Sequence, residues 1–234
     1  MKFLASQYVL GLFTVFSMFV SYLPKVLAEE YIPPTEIPSS NTERARLVAE
    51  INEGSTPEEQ KVAYLAELAL LTSSTDTQVE EIELLEVKIT ELKELLDSDP
   101  ELNAALGSTI SFRSSFYTDQ LAKLSLFSRK GNRIMDRAVK QAPFNLGARL
   151  QRGISCANMP AFLRRARYAV EDLELVQQKI GKKYGEEFQA FVEFYLAQAY
   201  SRNKQKEKAR NLWTKLTGSE TNWAQRSRQA LEKL

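Results

Sequence analysis

Apolar residues recur along this chain at helical spacing in one segment after another. Ile82, Leu85, Ile89, Leu92 and Leu96 fall at intervals of 3-4-3-4, which sets them on one stripe of a helix over residues 76–96. Tyr64, Leu65, Leu68 and Leu71 form a similar stripe just ahead of it. The 3-4 spacing allows a coiled coil. Leu84, Val87 and Leu95 widen the stripe, however, and a wide stripe predicts burial inside a helical array. No segment alternates with a period of two, so no strand is predicted. Start signals support the periodicity. Thr56-Pro57-Glu58-Glu59 joins a capping hydroxyl, a Pro at the first helical position and a Glu that completes a capping box. Asp99-Pro100-Glu101 opens a later helix in a related way. The predicted helices cover residues 41–51, 57–71, 76–96, 101–127, 132–141, 144–158, 160–180, 186–202, 205–216 and 221–234. Gly131 is read as the break between the fourth and fifth.

Composition narrows the chemistry. The 234 residues include nine Gly and eight Pro, and five of the Pro precede residue 58. The long breaker-poor remainder favours an all-α fold. There is no His. That excludes His-based catalytic triads and every His-ligated metal site. Cys156 is the sole Cys, so neither an intramolecular disulfide nor a Cys-cluster metal site is available. It sits in an apolar helical context, where an inert buried thiol is expected. Glu186 and Glu187 mark a helix start, where they complement the helix dipole. No cofactor motif, metal cluster or catalytic constellation emerges, and the chain reads as a non-enzyme.

Residues 1–28 read as a secretory signal peptide. Lys2 precedes an apolar run that ends at Pro24, and Val26-Leu27-Ala28 suits cleavage before Glu29. The expected location is secreted or periplasmic. An uncleaved anchor is the alternative. Residues 29–40 carry Pro33, Pro34 and Pro38 without apolar periodicity, as an extended linker does. Acidic helical pairs are then expected over residues 41–137 and a second helical set over residues 138–234.

Pro57, Pro100 and Pro143 stand 43 residues apart, and one further step reaches the helix start at Glu186. Each interval holds two helices, the pattern of an α-solenoid of antiparallel hairpins. Within the last hairpin, Ala197, Tyr200, Ala209 and Trp213 occur in an order that resembles a tetratricopeptide repeat. Small residues there let two helices cross closely and aromatics fill the adjacent gap. In the preceding hairpin, Gly153 and Cys156 fall at the corresponding places. Glu193 departs from the pattern, standing where the family prefers a large aromatic, and Lys204 stands where a turn Gly is usual. The family's Lys/Asn clamp for a terminal carboxylate is not recognisable. The resemblance implies stacked antiparallel hairpins closed by a terminal helix, and a protein-binding scaffold.

The overall charge of +1 hides a division: residues 29–108 are strongly acidic and residues 109–234 strongly basic. Attraction between the halves, or solvated faces, would account for it. A functional reading gives the second half an anion-binding face. Arg149, Arg152 and Arg164, with Arg165 and Arg167, form the candidate basic wall, suited to holding carboxylates or phosphates. The resemblance adds Phe194, Gln198 and Arg202 as a mixed recognition surface on the inner face. The expected partner is a protein or peptide of acidic character, with peripheral contact to an anionic membrane as the alternative. Nucleic acid is not expected.

Overall fold

The computed structural model describes residues 30–97 and 99–234, so the predicted signal peptide lies outside the described residues. Ten α-helices follow one another: α1 (Asn41–Glu50), α2 (Pro57–Ser73), α3 (Val79–Leu95), α4 (Pro100–Arg113), α5 (Leu121–Gln141), α6 (Leu146–Asn158), α7 (Ala166–Ile180), α8 (Glu186–Arg202), α9 (Lys206–Thr217) and α10 (Trp223–Glu232). There is no β-strand among the described residues, only an isolated bridge between Ile32 and Asn145. Each helix from α2 to α9 packs on its successor, and α10 closes against α9 and α8. A second set of contacts joins α2 to α4, α4 to α6 and α6 to α8. Alternate helices from α2 to α8 therefore also touch one another in a row.

Local sequence explains most of these boundaries. Thr56 Oγ1 accepts from the Glu59 amide, and Glu59 returns a carboxylate to the Thr56 amide at 2.8 Å, a complete capping box. Asp99 caps α4 through the Leu102 amide at 2.8 Å. The first residues of α2, α4 and α8 match the evenly spaced starts, while α6 begins three residues after Pro143, behind the Asn145 cap.

Three helical expectations are corrected. The predicted helix over residues 101–127 is interrupted after Arg113. The Ser114 and Ser115 hydroxyls bond the carbonyls of Ser111 and Phe112, at 2.6 and 2.8 Å, and the chain tightens into a 3₁₀ turn. Gly131 breaks nothing: it lies inside α5 and serves as a crossing point. A Cβ there would strike the Gly107 carbonyl oxygen and come within 2.6 Å of the Ser111 amide nitrogen. The segment after Pro160 starts as a 3₁₀ turn over Ala161–Leu163. Arg164 then adopts φ 55° before α7 begins.

The core falls into two main clusters, one built by α2, α3 and α4 and the other by α5 to α10, with a small third cluster of Ala104, Ala138, Val139 and Ala148. Ile82, Leu85, Ile89 and Leu92 are fully buried against α2 and α4, whereas Leu84, Val87 and Leu95 are more than half exposed. The stripe of α3 is thus narrower than the pattern suggests. In the last hairpin, Ala197 and Ala209 are fully buried and Tyr200 and Trp213 pack in the same cluster. Lys204 takes φ 63°, the left-handed conformation that a turn Gly would otherwise supply. Glu193 is buried on the side of α8 that faces Lys215, which it binds at 2.6 Å, and Gln177, at 3.1 Å.

Candidate functional site

The inner face is the row formed by α2, α4, α6 and α8, together with what lies against it. Residues 31–38 do not run as a detached linker. Their three prolines favour an extended backbone, and the segment is held along the helix starts. The Ile32 amide donates to the Phe144 carbonyl at 3.0 Å, and the Leu146 amide donates to the Ile32 carbonyl at 2.8 Å. The Thr35 hydroxyl donates to Glu101 at 2.6 Å, and Lys61 balances that carboxylate at 3.0 Å. Tyr184 donates to the Pro34 carbonyl at 3.2 Å. Tyr31 packs edge-on against Phe144, with Lys179 4.5 Å from its ring centroid. Main-chain atoms of the strap take part at Ile32, Pro34, Thr35 and Pro38.

Beyond the strap, α1 packs on α2 and turns Arg44 inward. A cavity of ≈ 270 Å³ is left between this cover and the helix row. Leu65 and Leu68 of α2, Phe112 of α4, Leu150 and Ile154 of α6, and Phe191 of α8 supply apolar walls. Ser108, Ser111 and Ser128 line it where α4 and α5 cross closely. Its third side is an aromatic cluster. Trp223 lies 5.3 Å from Phe191, 5.0 Å from Phe194 and 5.8 Å from Tyr195, measured between ring centroids. Two arginines line the cavity, Arg44 and Arg226, and no Asp, Glu or Lys among the described residues does.

Arg44 is only 5% exposed. Its Nε donates to the Pro38 carbonyl at 2.8 Å and Nη1 to Asn41 Oδ1 at 3.0 Å, both neutral acceptors. Burial lowers its pKa, with Tyr195 pulling it up and Arg226 pushing it down. Burial raises the Tyr195 phenol, against the pull of Arg226 and Arg44. Arg226 is exposed and rests on Trp223, 4.9 Å from its ring centroid.

The candidate basic wall divides. Arg149 and Arg152 both bind Asp172, through Arg149 Nη1 at 2.8 Å and Arg152 Nε at 2.6 Å. Arg165 holds Asp136 at 2.6 and 2.9 Å, and Arg152 reaches the same carboxylate at 3.3 Å. Burial alone would lower Arg152, but Asp172 and Asp136 outweigh it and its pKa is raised. These side chains form a seam between α5, α6 and α7 and do not line the cavity. Arg164 is exposed beside the 3₁₀ turn. Phe194 is buried, wedged between Tyr195, Trp213 and Trp223. Gln198 is half-buried and donates to Asn158 Oδ1 at 2.7 Å, and Arg202 is exposed. The six sequence-derived candidates are not gathered at one place. Arg44, Arg226 and the strap were not among them. Arg44 shares the short α1 with Arg46 and with apolar Leu47 and Val48, so its spacing does not mark it out, and its inward turn depends on α1 folding back.

Cys156 is buried, and desolvation pushes its thiol up to about 11. No cluster of three metal-ligating side chains occurs among the described residues, and no helix there is long and apolar enough to cross a membrane. Comparison with protein-family models, with curated proteins and with solved structures finds no match to this chain.

Proposed function

We propose that this chain is a non-catalytic, secreted or periplasmic scaffold of tetratricopeptide-like hairpins that binds a protein or peptide partner along its inner face. The observation that carries this reading is the strap. The inner face already holds an extended segment in cis, through paired main-chain hydrogen bonds at Ile32, the Glu101 carboxylate on Thr35 and the Tyr184 grip on the Pro34 carbonyl. Recognition through main-chain atoms is how sheets and grooves take extended peptides generally. A partner segment of similar conformation would replace the strap bond for bond. Buried Ala197, Tyr200, Ala209 and Trp213 support the tetratricopeptide-like pairing of α8 with α9.

Selection of displayed peptides on the full chain tests the proposal. Peptides that bind the wild type should bind several-fold tighter to Ile32→Pro, which removes the amide donated to Phe144 and loosens the strap. Failure to enrich any sequence on either form would contradict the reading, as would affinities that ignore the strap substitution.

A further inference from the structure

Arg44 and Arg152 are the two buried arginines among the described residues, and Arg149, Arg165 and Arg113 are half-buried. Arg152, 6% exposed, is neutralised by Asp172 and Asp136, and Arg165, Arg149 and Arg113 each have a carboxylate within 3 Å. Arg44 is buried as deeply and has none. Its Nη2 has no hydrogen-bond partner among the described residues, and the side chain lines the ≈ 270 Å³ cavity. Leaving a guanidinium desolvated without a counter-charge is costly. Arg226 adds a second positive charge to the same wall, with no ion pair or hydrogen bond of its own among the described residues. The cavity thus carries two charges of one sign, with no acid or Lys among the described residues to balance or add to them.

The remaining walls define the rest of the ligand. Leu68, Phe112, Leu150, Ile154, Phe191 and Trp223 present hydrocarbon and aromatic surface. Ser108 and Ser111 are buried there, and their hydroxyls make no hydrogen bond among the described residues. The volume lies near the lower end of the ~300–1,000 Å³ usual for small-molecule sites, which are mostly apolar with a few placed polar groups. We propose that this cavity binds a small apolar monoanion, its acidic head between Arg44 and Arg226 and its hydrocarbon body against the inner faces of α2, α4, α6 and α8. This goes beyond the scaffold reading, because the site lies beneath the strap and α1 and needs no displaced segment.

Titration of the full chain with dodecanoate and dodecyl phosphate, followed by calorimetry and by tryptophan emission in a Trp213→Phe background that leaves Trp223 as the emitter, tests it. Saturable binding of at least one of the two at one site per chain is expected. Dodecanol and dodecyltrimethylammonium, with the same tail, should bind roughly tenfold weaker or less, since they forgo a charge-assisted bond. Arg226→Gln should weaken the anions roughly tenfold and leave dodecanol unchanged. That side chain is exposed and holds no structural bond, so the variant keeps its fold, while Arg44→Gln gives a second reading where it folds. Absence of saturable binding by both anions would overturn the proposal. So would equal affinity for dodecanol and dodecanoate, or an Arg226→Gln variant with wild-type affinity for the anions.

Discussion

The seam between α5, α6 and α7 and the inner face use the same residue type to opposite ends. In the seam, Arg149, Arg152 and Arg165 meet Asp172 and Asp136 in short, many-sided bonds, and Tyr168 lies under three guanidinium groups at 4.2–5.2 Å. At the inner face, Arg44 and Arg226 share a cavity with aromatics and hydroxyls and have no acid. Basic charge within one fold is thus either consumed in holding helices together or left available. The distinction lies in the partner and not in the depth of burial, because Arg44 and Arg152 are buried alike.

Breaking the seam should have the largest effect. Asp172→Asn leaves Arg152 buried with its main counter-charge removed, and a loss of about 3–5 kcal/mol is expected in urea unfolding. A loss below about 1 kcal/mol would mean that the seam is no more structural than the cavity wall.

The Cys156 thiol, influenced by Arg165, Asp172 and Arg152, sharpens the point through pH. Its ordinary value is 9.0 and burial raises it to about 11. The neutral thiol is therefore favoured in the folded state. Its contribution is fully present below pH 9 and is lost as pH rises through about 11. The two-unit difference corresponds to roughly 2–3 kcal/mol. Unfolding measured from pH 8 upward should show Cys156→Ala losing less stability than the wild type by that order. Parallel curves would place the thiol in a less desolvated setting.

Helix propensity alone makes Gly131→Ala stabilising by about 1 kcal/mol. The close approach of α4 and α5 reverses the sign. The added methyl meets the backbone at Gly107 and Ser111, which does not yield as a flexible side chain would, and a loss of about 1–3 kcal/mol is expected. A gain would show that the two helices separate readily. The smallest effect belongs to Arg226→Gln, which should leave stability within about 0.5 kcal/mol of wild type. A larger loss would make Arg226 a structural group and erase the contrast with the seam.

Helix starts were legible because their chemistry is local. Thr56 with Glu59 and Asp99 with Pro100 need only their own turn. The Gly131 crossing was not, since it depends on a neighbouring helix; the Ser114 interruption is local too, but Ser hydroxyls that bond carbonyls three residues back also occur inside continuous helices, so the pair carries no distinctive stop signal. The pairing of α8 with α9 was readable from Ala197, Tyr200, Ala209 and Trp213, because close packing imposes a residue order. Arginine roles were opaque in principle. Asp172 lies 20 positions beyond Arg152 in the chain, and no spacing rule announces that the two meet. The strap reads as a linker because its contacts, Glu101, Phe144 and Tyr184, are all distant in sequence.

Hydrogen exchange at the Ile32 amide tests the occupied inner face most directly. Its bond to the Phe144 carbonyl should slow its exchange to near the rate of Leu146, whose amide donates back to Ile32. Ile32→Pro should then release Leu146 while amides inside α6 keep their protection. Exchange of Ile32 at the rate of an unfolded chain, with α6 fully protected, would show that the extended segment does not rest on the helix row.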